Sequence, residues 1–307
     1  MKKIQWVFLL VAMMMLAACS MDAPGSSSKE EGGEGETTKG DYTIGFSVST
    51  LNNPFFVTLN EGAEAKAAEL GATLTVVDAQ DNASKQASDV EDLIQQQVDL
   101  ILINPVDSEA VAAAVESANA ANIPVITVDR SAAGGEVVSH IASDNTAGGE
   151  MAAEYLISIV GKDAKVAELE GVPGSSAARE RGEGFNNIAA DSLDVVAKQT
   201  ANFNRAEGLS VMENILQANP DVTGVFAHND EMALGALEAI EAAGKDIVVI
   251  GFDATDDAVK AVEDGRLAGT VAQKPAMIGE MAVESAVKSL DGEKVETSVP
   301  VELELIK

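Results

Sequence analysis

Cysteine occurs once in the 307 residues and histidine only twice. One thiol excludes any disulfide within the chain. His140 and His228 stand far apart in unlike contexts, a thin supply for metal ligation or acid–base work. HExxH, CxxC and GxSxG are all absent, and DAQDN at 78–82 starts like a calcium loop without completing one. A metal, a cofactor and enzymatic conversion of a substrate are therefore not expected. Basic residues are scarce as well: 20 Lys and Arg face 50 Asp and Glu, a formal net charge of −30. Such a surface repels DNA and RNA, and so high an acidic load reads as a solubility property. Aromatics make up only 4%, and the Ala, Val, Ile and Leu that take their place suit short helices packed on parallel strands.

Long apolar runs are missing except at the start. Lys2 and Lys3 precede an apolar stretch over 4–15, and Leu16-Ala17-Ala18-Cys19 closes it. The run is shorter than the ~20 residues a spanning helix needs, and a positive start, apolar middle and small-residue end mark an export signal. LAAC resembles the lipobox of bacterial lipoproteins, which implies a lipidated Cys19 as mature N-terminus and attachment to the outer face of the cytoplasmic membrane. Two acyl chains on that residue would anchor stably where one would not. Residues 20–40 are rich in Gly, Ser and Glu and read as a flexible acidic tether. Their GGEGE lacks both the preceding strand and the GK[ST] of a phosphate loop.

From Tyr42 onward, apolar runs over 44–48, 74–77, 100–103, 125–128, 166–169, 195–198, 222–227 and 247–252 alternate with amphipathic stretches. This is the pattern of βαβ units, hence an α/β fold with parallel sheets and right-handed crossovers. Segments 98–130 and 221–253 look like copies, each passing from apolar strand through polar break and Ala-rich helix to a second strand that reaches an aspartate, Asp129 or Asp253. Ligands of open α/β sheets sit beyond the carboxyl ends of the strands. Two lobes whose functional edges face each other are expected, able to close over a ligand by hinge motion. The expected boundaries are 41–143 plus 274–300 for one lobe and 144–273 plus 301–307 for the other, with three crossovers.

STLNNPFF at 49–56, INP at 103–105, PVITVDR at 124–130, SHIASDN at 139–145, SSAARERGEGF at 175–185, HNDEMALGAL at 228–237 and GFDAT at 251–255 together resemble bacterial ribose-binding proteins. The resemblance runs from about residue 41 to the C-terminus. It implies the type I periplasmic-binding-protein fold with two Rossmann-like lobes, a monomer, a small sugar as ligand with ribose foremost, and delivery to an ABC-type import permease. Another small sugar or a furanosyl signalling molecule is the alternative. A sugar-responsive repressor, which shares the fold, would carry a DNA-binding helix-turn-helix where this chain has its export signal.

A monosaccharide offers rim hydroxyls, suited to forked Asp, Asn, Gln and Arg groups, and apolar faces, suited to aromatic rings. Taken locally, Asn53 and Pro54 open a helix as cap and first residue, and Phe55 and Phe56, about 100° apart on it, do not both fit one buried stripe. Asp129 and Arg130 read alone as a strand-end ion pair, Asn229 as a helix cap, Gln273 as a hinge hydrogen bond and Phe203 as loop packing. The resemblance turns these into ligand groups: Asn53, Phe55, Phe56, Asp129, Arg130, Arg181, Phe203, Asn229, Asp253 and Gln273. Arg179, two residues from Arg181 and on another face, is left as a solvated or structural charge.

Overall fold

The structure, a computed structural model, describes residues 41–307; Cys19 and the export signal and tether expected over 1–40 lie outside them. The chain begins with β1 (Thr43–Val48), α1 (Pro54–Leu70), β2 (Thr73–Asp78), α2 (Ala83–Gln95), β3 (Leu100–Ile103), α3 (Ala112–Ala120), β4 (Val125–Val128) and β5 (Ser139–Ser143). It continues through α4 (Asn145–Val160), β6 (Ala164–Glu170), α5 (Ser176–Ala189), β7 (Leu193–Thr200), α6 (Arg205–Ala218), β8 (Gly224–Ala227), α7 (Asp230–Ala242), β9 (Val248–Asp253), α8 (Asp256–Glu263) and β10 (Gly269–Ala272). It ends with α9 (Pro275–Leu290), β11 (Ser298–Val301) and β12 (Glu304–Ile306).

These form two six-stranded sheets, β11-β5-β4-β3-β1-β2 and β12-β10-β9-β8-β6-β7, with every pairing parallel except β10 with β12. The orders are the same when read from the strands' places in each half, so the copy seen between 98–130 and 221–253 is β3-α3-β4 against β8-α7-β9. The central strands are apolar on both faces, as LILI in β3 and VITV in β4 show, because helices cover both sides. In the first lobe α1 and α9 bury Leu59, Ala63, Ile278 and Val283 on one face, and α2 and α3 bury Leu93 and Val115 on the other. In the second, α4 and α5 contribute Leu156 and Phe185 to one face, α6 and α7 Ile215 and Leu237 to the other.

The chain leaves the first sheet after Ser143, returns after Ala272, and leaves again between Val301 and Glu304. Val301 corrects the expected boundary of 300/301: it pairs with Ser143 in the first sheet and is buried in that lobe's core. Sequence pattern had also passed over β5, β10, β11 and β12. These strands are short or polar, and β11 carries Pro300, tolerated because the strand lies at the sheet's edge.

Candidate functional site

The strand order reverses between β1 and β3 in one sheet and between β6 and β8 in the other, and the loops beyond these carboxyl edges face one another. Between them lies a small cavity, and all ten residues singled out above line it, joined by Ala177. The first lobe supplies Asn53, Phe55 and Phe56 at the start of α1 and Asp129 and Arg130 after β4. The second supplies Arg181 from α5, Phe203 from the β7–α6 loop, Asn229 before α7 and Asp253 at the end of β9. Gln273 sits on the crossover after β10. Ala177 was missed because a small apolar side chain advertises no chemistry, although its place one turn before Arg181 puts the two on one helix face.

Local sequence explains how each group is aimed. Asn53 and Asn229 cap α1 and α7, their Oδ1 accepting from Phe55 N at 2.9 Å and Met232 N at 3.0 Å. The helix-cap roles are therefore real, and both side chains also border the cavity. Phe55 and Phe56 meet edge to face, centroids 5.1 Å apart, and both reach the site because Pro54 starts the helix at the cavity wall. Arg181 is brought in by close α4–α5 packing: a Cβ on Gly149 would strike the Arg181 carbonyl, so only glycine allows the approach. Its Nε donates to Asn145 Oδ1 at 2.9 Å and its Nη1 to the His228 carbonyl at 2.6 Å, while the guanidinium lies 3.8 Å over the Phe252 ring. His228 itself lies behind the site, bonded to Glu168 at 2.9 Å. Arg179 instead donates to the Gly174 carbonyl from an exposed position.

Asp129, Arg130, Arg181 and Asp253 are all buried. Arg130 lies 3.7 Å from Asp129, and Arg181 3.7 Å from Asp253. Arg130 also stacks between Phe56 and Phe203, at 5.0 and 5.3 Å from their centroids. Burial pushes the Asp129 carboxyl upward, opposed by Arg130 and Arg181. It pushes Asp253 well above the ordinary carboxylate range, opposed first by Arg181. Burial pulls both guanidiniums downward, from so high a starting value that they remain charged. With both carboxyls ionised, two negative and two positive groups cancel, so the cavity offers directed hydrogen bonds without net charge.

Three buried polar atoms on this wall have no hydrogen-bond partner: Asp129 Oδ1, Arg130 Nε, which stands 3.7 Å from Asp129 Oδ2, and Gln273 Oε1. An unmatched buried group costs about 1–3 kcal/mol. The backbone is strained here too, with Asp129, Phe203 and Asp253 at φ of 63, 58 and 119°. Such conformations cost on the order of 1–3 kcal/mol each and concentrate at ligand clamps.

The periplasmic binding protein domain model matches residues 44–294, spanning both lobes and every cavity residue. The chain belongs to the periplasmic-binding-protein family. Within it, the chain is 55% identical over 305 residues to the ribose import binding protein RbsB of Bacillus subtilis (strain 168), covering 99% of both. It is 56% identical over 266 residues to the RbsB protein of Escherichia coli (strain K12), covering 86% of this chain and 90% of that one. Among solved structures, an ABC transporter solute-binding protein from Actinobacillus succinogenes 130z with bound D-allose superposes with a TM-score of 0.81 at 32% identity, covering 87% of this chain and 97% of that one. This periplasmic-binding-protein family member is accordingly a solute-binding component of a transport system and not an enzyme.

Proposed function

We propose that the cavity captures one monosaccharide, D-ribose, and that closure of the two lobes over it presents the chain to an ABC-type import permease. The observation that carries this reading is the set of unpartnered atoms, Asp129 Oδ1, Arg130 Nε and Gln273 Oε1, on a wall that also holds Phe55, Phe56 and Phe203. Acceptors and a donor at the rim match hydroxyls, and rings match C–H faces. The balanced charge favours a ligand without net charge over a phosphate. The RbsB likeness over nearly the whole chain adds support for ribose, and the D-allose-bound neighbour for a hexose alternative.

Ribose meets groups of both lobes and so stabilises the closed arrangement by its differential affinity for it. The chain acts as a monomer held at the outer face of the membrane by a lipidated Cys19, with residues 20–40 as tether. Calorimetric titration of the full-length protein with ribose, allose, galactose and xylose tests the ligand. Ribose is expected to bind tightest, and equal or tighter binding of another sugar would overturn the assignment.

A further inference from the structure

The end of β9 is held by a carboxylate that does not line the cavity. Asp230, the first residue of α7, is fully buried behind the wall. Its Oδ2 accepts from Thr255 N at 2.7 Å and Thr255 Oγ1 at 3.2 Å, and its Oδ1 accepts from Thr270 Oγ1 at 2.7 Å. Thr270 Oγ1 in turn accepts from Ala254 N at 3.1 Å. The two consecutive amides after Asp253 are thus tied to one buried carboxylate, one directly and one through a hydroxyl.

The segment tied down is the strained one. Asp253 and Ala254 hold φ of 119 and 56°, in the left-handed region that non-glycine residues occupy only when their surroundings over-determine them. Space has been cleared for the tie as well: a Cβ on Gly251 would collide with Asp230 Oδ1. The outcome of this turn is the Asp253 carboxylate, aimed at the cavity beside Arg181 and Gln273.

We propose that Asp230 is a positioning residue for the sugar site: through Thr255 and Thr270 it locks the Asp253–Ala254 turn and holds the Asp253 carboxylate where a ligand hydroxyl meets it. This rests on reading the cavity as a sugar site. The ionised carboxylate suits this role best because it accepts all of these bonds; an amide or a protonated acid still accepts from Thr255 N–H but turns a hydrogen toward Thr270 Oγ1, which already accepts from Ala254 N. The charged groups acting on it are Asp253 on β9, which repels it, and Arg181 on α5, which attracts it; β10 presents the Thr270 hydroxyl, and α8 presents its cap Thr255 and carries Asp256 and Asp257 in its first turn. Burial pushes the Asp230 carboxyl up to about 7 despite the bonds it accepts.

Calorimetric titration with D-ribose, between about pH 6 and about pH 8 to bracket that titration, compares the full-length protein with Asp230→Asn, Thr270→Val and Thr270→Ser. Asp230→Asn and Thr270→Val are expected to bind about tenfold or more weakly, the scale on which outer hydrogen-bond partners act at other sites. Thr270→Ser, which restores the hydroxyl, recovers most of the loss. Wild-type affinity falls as the pH drops through about 7, whereas Asp230→Asn, weaker throughout, changes less over that range, its remaining dependence coming from Asp253. Binding by Asp230→Asn or Thr270→Val as tight as wild type, with the same pH profile, would overturn the proposal. If Asp230→Asn does not fold, the two Thr270 variants still decide it. Wild type failing to bind ribose would instead sink the sugar reading beneath it.

Discussion

Asp253 carries the most at the scale of one residue. It is buried, backbone-strained, hydrogen-bonded by Gln273 Nε2 at 2.8 Å and opposed to Arg181. Removing it deletes a hydroxyl acceptor and leaves a guanidinium unmatched, and breaking a buried pair of this kind costs about 3–5 kcal/mol. Asp253→Ala is therefore expected to weaken ribose binding at least about a hundredfold, with circular dichroism unchanged; retained affinity would show that the carboxylate does not meet the sugar. Asp230 makes a separate prediction about stability. Because its carboxyl is raised to about 7, the folded chain keeps a proton that the unfolded chain has released between about pH 4 and that value. The group's contribution to stability is present in acid and lost as the pH rises through this window. The Tm of wild type should fall more steeply from about pH 5 to about pH 7 than that of Asp230→Asn. Parallel slopes in a thermal melt series would place the titration elsewhere.

At the scale of elements, the lobes also touch each other directly at one lip. Ser108 N donates to the Gly174 carbonyl at 2.9 Å and Ser131 N to Ser176 Oγ at 2.9 Å, both from the first lobe to the second. A Cβ on Gly174 would run into the Asp107 carboxylate, whose Oδ1 caps Glu109 N and Ala110 N and so cannot swing away freely. Gly174→Val should leave each lobe folded yet oppose closure, weakening ribose binding by roughly tenfold for ~1.4 kcal/mol of clash. Small-angle scattering at saturating ribose should show a larger radius than wild type, and an identical profile with unchanged affinity would remove the lip from the account. The βαβ units were legible in the sequence because central parallel strands are short unbroken apolar runs and their helices are Ala-rich. The edge strands β11 and β12 were not, since pairing on one side leaves Pro300 and Glu304 acceptable there. Among the cavity residues, the ten with forked or aromatic side chains were named through the resemblance, since read locally Asn53 and Asn229 are helix caps, Gln273 a hinge hydrogen bond and Phe203 loop packing. Ala177 was not, and Asp230 reads in sequence as an ordinary acidic residue of a helix's first turn, since nothing in the pattern HNDEM tells that it is buried.

At the scale of the whole molecule, the parts divide by address and by task. The lone cysteine is expected from the sequence to close an export signal, and the two sheets place their carboxyl edges against one cavity. If Cys19 is the lipid attachment point, Cys19→Ser should move the protein from the membrane fraction to the soluble fraction of cell extracts, with ribose affinity unchanged. Persistent membrane attachment would refute the anchor. The central claim is that a sugar bridges the two lobes through groups the protein leaves unmatched. A crystal structure of the ribose complex tests it most directly. It should show ribose hydroxyls within hydrogen-bond distance of Asp129 Oδ1, Arg130 Nε and Gln273 Oε1, with Phe55, Phe56 or Phe203 against the ring faces. Ribose bound to one lobe alone, or at another place with these three atoms still unpartnered, would contradict it.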